Sequence, residues 1–157
     1  AVNDIFIGPK SHGSARYTLH HEDRVERHSS SGVIVSTGMG STGWLTSLIT
    51  GARGIAAASV EGQAPEREQS HRAVAALRLP WDADHLYFTV RAPFPTKTTG
   101  ASLVFGRVSV EKPLLIESHM PERGVIFSDG IEADFVEFNS GSRVEITVAE
   151  RKGVLVV

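Results

Sequence analysis

At 157 residues, 41% of them hydrophobic, the chain is long enough for one hydrophobic core, or for one domain of a larger enzyme. The formal net charge is −2 and Lys and Arg are scattered, which excludes a broad surface for tracking nucleic-acid phosphates. With no cysteine there are no disulfides, no cysteine-ligated zinc and no thiol catalysis, and no apolar run approaches the roughly 18 residues of a membrane span, so the expected compartment is the cytoplasm.

The sequence opens Ala1-Val2-Asn3-Asp4 with neither a methionine nor a signal-peptide pattern, so a processed or cut N-terminus is expected. From there the pattern is one of short β-rich runs between turn residues. Strands are expected at 2–7, 15–19, 24–28 and 32–37. His20-His21-Glu22-Asp23 contains metal-ligand residue types. Neighbours on a strand face opposite ways, however, and a turn gathers solvated charge, so no metal site is expected there. After residue 37 a glycine-rich run leads into a helix, with Ser41 or Thr42 as cap, Trp44, Leu45, Leu48 and Ile49 at helical spacing, and Gly51 or Gly54 as its end.

Residues 55–85 read as a surface excursion, charged over 61–72 and able to form a short helix over 73–79. Strands resume at 86–92, 102–106, 113–118, 124–128, 131–138, 143–149 and 153–157. Between the first two of these, a loop stiffened by Pro93 and Pro95 presents Lys97 beside three threonines. That makes Lys97 a candidate phosphate contact, weighed against a solvated lysine. Asp129-Gly130 supplies the positive φ of a tight primed turn. In the strand expected after it, Ile131, Ala133 and Phe135 share one face and Val136 and Phe138 the other, which implies either burial on both sides, the favoured reading, or a bulge. The inventory is that of an all-β fold, a mostly antiparallel two-sheet sandwich with one or two short helices, in a single domain over 1–157.

Gly38-Met39-Gly40-Ser41-Thr42-Gly43 satisfies GxGxxG between an apolar strand and a helix, with Glu61 about 20 residues on, the layout of a dinucleotide-binding Rossmann unit. Such a domain continues with alternating strands and helices, whereas this chain continues strand after strand, which weighs against a Rossmann oxidoreductase. No Lys follows the last glycine, so the run is no P-loop, and Ser41 is not the centre of a GxSxG elbow. A backbone free of side chains at a helix N-terminus suits a phosphate or ribose. A helix-capping turn packed under a neighbouring strand explains the same residues.

Three segments, in order, resemble the C-terminal domain of the NAD kinase family. Asn3-Asp4 is similar to its strand bearing Asn and an acidic residue. Ser36-Thr37-Gly38-Met39-Gly40-Ser41-Thr42-Gly43-Trp44 is similar to its Ser-Thr-Pro-x-Gly-Ser-Thr-Ala-Tyr loop, and Asp129-Gly130 to its late Asp-Gly turn. The resemblance implies an all-β domain that binds the dinucleotide NAD as substrate. An N-terminal α/β domain, absent from this chain, would carry a Gly-Gly-Asp-Gly motif and transfer a phosphoryl group from ATP or polyphosphate, with Mg²⁺, to the adenosine ribose 2′-hydroxyl. On that reading the intact protein is a kinase, while this chain has no catalytic residue of its own and is inactive alone.

By position, the resemblance places Asn3 and Asp4 on ribose hydroxyls and Thr42, Gly43, Trp44 and Ser47 along the adenine side, with Ser36, Thr37, Gly38, Gly40 and Ser41 forming the loop. Ser31 stands where the family carries an aspartate that contacts the nicotinamide end. Gly38 replaces a proline and Met39 a small polar residue. These departures keep open a related small-molecule kinase with a different acceptor, and a non-catalytic nucleotide-binding or assembly module is a further alternative. Beyond the nucleotide and the α/β domain, the expected partner is another copy in a homo-oligomer.

Overall fold

The computed structural model describes residues 1–59 and 79–152. The described elements are β1 Asp4–Pro9, β2 Ala15–His21, β3 Arg24–Ser30, β4 Val33–Ser36, α1 Trp44–Ser59, β5 Leu86–Val90, β6 Phe105–Val108, β7 Leu114–Ser118, β8 Gly124–Ser128, β9 Val136–Glu137 and β10 Arg143–Ile146. They build a six-stranded sheet, β6-β5-β4-β1-β8-β9, and a four-stranded sheet, β10-β7-β2-β3. Every described pairing is antiparallel, so the all-β sandwich forms, and the parallel sheet that the Rossmann reading requires does not. No described helix is long and apolar enough to cross a membrane.

Burial accounts for the strand patterns. The main core lies between the sheets: Ile7, Val33, Val35, Phe88 and Val108 from the larger meet Tyr17, Leu19, Leu114, Ile116 and Ile146 from the smaller. The runs Ile5-Phe6-Ile7 and Val33-Ile34-Val35 are continuously apolar because the larger sheet is covered on its other face too. There Phe6, Ile34 and Val125 form a second cluster with Trp44 and Leu48 of α1, Phe127 and Phe135. Each such side chain contributes about 1.5–3 kcal/mol when fully buried.

Two expectations fail locally. First, α1 runs through both Gly51 and Gly54 to Ser59. Neither glycine takes the positive φ of a C-cap, and a Cβ at either would meet nothing within 4 Å, so each sits on an open face and costs about 1 kcal/mol without ending the helix. Nor do Ser41 and Thr42 cap it. They belong to a 3₁₀ turn, Gly40–Thr42, and Ser41 turns its hydroxyl back to the Gly38 carbonyl.

Second, the two-sided strand over 131–138 shrinks to β9. Asp129 (φ 55°) and Gly130 (φ 73°) do make the turn, but the Ile131 N–H bonds to the Ser128 carbonyl and the Asp134 N–H to that of Ile131, which takes the chain out of the ladder. Ile131 (57%) and Val136 (66%) are exposed, and Phe138 alone of that run is buried. Residues 61–72, most of the helix expected over 73–79 and the strand at 153–157 lie outside the described residues.

Candidate functional site

Strand order brings together three segments that are far apart in sequence. β1 lies between β4 and β8 and runs antiparallel to both, with Asp4 opposite Ser36 and Ile5 opposite Ser128. The start of β1 and the ends of β4 and β8 therefore share one end of the sheet. Asn3-Asp4, the loop from Ser36 to Trp44 and Asp129-Gly130 converge there.

Asp129 is the clasp. Its carboxylate accepts the backbone N–H groups of Val2 (3.0 Å) and Asn3 (2.6 Å) and, at 3.3 Å, that of Asp4, while its own N–H donates to the Asp4 carbonyl at 2.9 Å. Partial burial raises its pKa, but these three N–H donors outweigh burial and hold it below the usual carboxylate range. Asp4 shifts the opposite way. Burial raises its pKa, the hydroxyl of the fully buried Ser36, which donates to Oδ1, pulls it back, and the charge of Asp129 adds to the rise. Two neighbouring carboxylates are thus driven apart in proton affinity.

The glycine loop is knitted to β1. The Thr37 N–H donates to the Asn3 carbonyl (2.9 Å) and its hydroxyl to the Val2 carbonyl (2.6 Å), and that hydroxyl accepts the Gly40 N–H (3.2 Å). A Cβ at Gly40 would lie 2.2 Å from the Asn3 carbonyl oxygen and 2.8 Å from Asp4 Oδ1, and one at Gly38 would lie 2.0 Å from the Pro80 carbonyl oxygen. These two glycines are required by backbone packed on backbone, the structural alternative left open by the sequence. Gly43 differs: it is exposed, and a Cβ there would approach only the Gly40 oxygen, at 3.4 Å. Thr42 and Ser47 are exposed beside it, and α1 begins at the next residue, Trp44.

Trp44 is half-buried and stacks on Phe6, ring centroids 5.8 Å apart and planes 19° apart. It borders a cavity of about 310 Å³ whose other walls include Phe127 and Phe135. Two cations reach over these rings: the Arg91 guanidinium lies 5.0 Å from the Trp44 centroid and the Lys10 ammonium 3.9 Å from that of Phe135. Arg91, Lys10 and the phenylalanines were not singled out by the sequence. The available signal was the aromatic pair Phe6 and Phe127, which face each other across β1 and β8.

Ser31 and Lys97 stand apart from the sheet end where Asn3, the glycine loop and Asp129 converge. Ser31 precedes β4 and donates its N–H to the carbonyl of Arg91, the residue whose guanidinium lies over Trp44, so it sits at the other end of that strand, about 17 Å of extended chain from Ser36. Lys97 is exposed on a loop that bonds to β3. At the 20–23 turn His20 and His21 do face opposite ways: His21 is buried, and His20 lies 3.4 Å from Glu117. Among the described residues no three His, Asp or Glu gather as a metal site. A larger cavity, about 500 Å³, is lined in part by His21, Glu22, Asp84 and Arg107, and the ion pairs Lys112–Glu22 and Arg107–Asp84 already neutralise much of its charge.

No protein-family model and no curated protein matches the sequence. Solved structures are similar in fold, two of them kinases. One is an NAD kinase from Archaeoglobus fulgidus in complex with ATP, with a TM-score of 0.59 and 19% identity over 96% of this chain and 46% of that one. The other is yeast NADH kinase complexed with NADH, with a TM-score of 0.58 and 15% identity over 92% of this chain and 33% of that one. The chain thus spans less than half of the first and a third of the second, and what it shares with them is the fold.

Proposed function

We propose that this sandwich is the acceptor-binding part of an NAD kinase-like phosphotransferase. It would hold the adenosine end of NAD while an α/β part with a Gly-Gly-Asp-Gly segment delivers a phosphoryl group from ATP or polyphosphate to the ribose 2′-hydroxyl. The observation that carries the reading is the β4-β1-β8 order, which gathers all three motif segments at one sheet end. Exposed Asn3 and half-buried Asp4 offer donors and acceptors to ribose hydroxyls, and Thr42, Gly43, Trp44 and Ser47 form the open side where a base would lie. The described residues offer no cluster able to hold Mg²⁺ alone, so the ion would arrive with the donor's phosphates. A homo-oligomer through the open sheet edges belongs to the same reading.

Trp44 provides the test. Base stacking on an indole is worth about 1–3 kcal/mol and perturbs its emission. Trp81, 64% exposed, is the second of the two tryptophans, so Trp81→Phe isolates the signal. Saturable quenching by NAD is expected; unchanged emission at saturation, with binding checked by calorimetry, would leave Trp44 as Phe6's packing partner and no more. A second reading, an acceptor other than NAD, is favoured by Ser31, which is not a carboxylate.

A further inference from the structure

We propose a second, phosphate-binding site on the four-stranded sheet, where Arg16 and Arg27 face the loop 94–100. A cavity of about 290 Å³ there is lined by Arg16, Arg27, His119, Thr96, Thr98 and Thr99, together with Tyr17, His28 and Ser29, and no carboxylate borders it. Register places the arginines: Arg16 is opposite Ser29 and Arg27 opposite Thr18, so both stand on the outer face of β2 and β3, on a diagonal. Neither forms an ion pair among the described residues, in contrast to Lys112 and Arg107 at the larger cavity.

The surrounding groups are held in place. The His119 N–H donates to the Arg16 carbonyl at 2.8 Å, and its Nε2 is hydrogen-bonded to the Thr18 hydroxyl at 2.8 Å, which fixes the ring beside the arginines. The loop is strapped to the free edge of β3 by the Phe94 N–H on the Ser29 carbonyl (2.8 Å) and the Gly100 N–H on that of Arg27 (2.9 Å). Within it the Thr96 and Thr99 hydroxyls are 2.8 Å apart, so the hydroxyl-bearing turn has a defined shape.

One buried group has no partner. His28, 1% exposed and stacked on Tyr17, stands opposite Tyr17 in register, so its ring faces the inter-sheet core beneath the arginines rather than joining them on the outer face, and its Nδ1 bonds to nothing among the described residues. Its Nε2 lies 3.0 Å from Glu26 Oε1 but out of line for a hydrogen bond. Burial lowers the imidazole's pKa against the pull of Glu26, which leaves a neutral ring at neutral pH.

Two unpaired guanidinium forks, the His119 imidazole and the threonine hydroxyls, with no carboxylate lining the cavity, match a tetrahedral oxyanion that needs donors from several directions better than a planar carboxylate. The volume leaves room for a small polar body on the phosphate, such as a sugar. This site lies on the other sheet from the glycine loop and does not depend on the acceptor reading. Lys97, on the same loop, is not among its walls.

Calorimetric titration of the chain with inorganic phosphate, ribose 5-phosphate and citrate, in chloride buffer, tests it. Saturable phosphate binding is expected, with Arg16→Gln and Arg27→Gln each weakening it by about tenfold or more, as for loss of a charge-assisted hydrogen bond. Both arginines are exposed, so the variants should keep the parent's circular dichroism and melting temperature. Equal affinity for the two phosphates would identify the phosphate group as the whole ligand, and tighter ribose 5-phosphate binding would identify a phosphorylated sugar. No saturation at millimolar concentrations, citrate binding as tight as phosphate, or binding indifferent to both substitutions would overturn the proposal.

Discussion

Asp4 and Asp129 are neighbours whose pKa values shift in opposite directions, and mutation should separate them. Asp129, its pKa lowered, stabilises the fold fully above the unfolded carboxylate pKa of about 3.9, and that contribution is lost as pH falls through its depressed folded value. Asp129→Ala should cost about 1–3 kcal/mol at neutral pH, measured by urea unfolding, and the gap from the parent should close in acid. Asp4 works the other way. Its raised pKa means that its contribution is complete below the unfolded pKa and lost as pH rises through the folded one, so at neutral pH the ionised group is a burden on stability. Asp4→Asn should therefore keep or raise the melting temperature while weakening NAD binding by about tenfold, a split that a purely structural carboxylate would not produce.

Among the elements, glycines divide by what faces them. Gly40→Ala drives a methyl into the Asn3 carbonyl and should cost about 3 kcal/mol or more, whereas Gly54→Ala, into open space on a helix, should stabilise by about 0.5–1 kcal/mol in thermal denaturation. This difference was hidden in the sequence, where Gly38, Gly40, Gly51 and Gly54 look alike, because close approach is a property of the partner strand. β1 and β4 were legible because two-faced burial writes continuous apolar runs, and the loop was legible because it joins a strand to a helix. The run 131–138 misled for a related reason. Its apolar residues serve different neighbours, with Phe135 in the outer cluster and Phe138 in the core, and no strand period describes that division. The site's clasp was equally invisible, since the Asp129 bond to Asn3 spans 126 residues.

For the whole molecule, a sandwich without an α/β part should bind without turning over, because phosphoryl transfer needs donor, metal and acceptor positioned together. Incubation with ATP, Mg²⁺ and NAD should give no NADP above a no-protein control, and product formation would overturn the division of labour. The position of β1 matters during synthesis as well. Among the described strands it leaves the ribosome first, yet it is an inner strand whose second neighbour, β8, follows only after β2 to β7. Until residue 128 is free, one edge of β1 stands open to any strand that meets it, from this chain or another. Asp129 follows immediately and closes on Val2 and Asn3, so this end of the sheet takes shape only after residues 1–129 have been made. A nascent chain stalled earlier would expose a sticky strand, and the nucleotide pocket proposed above would not yet exist to be filled.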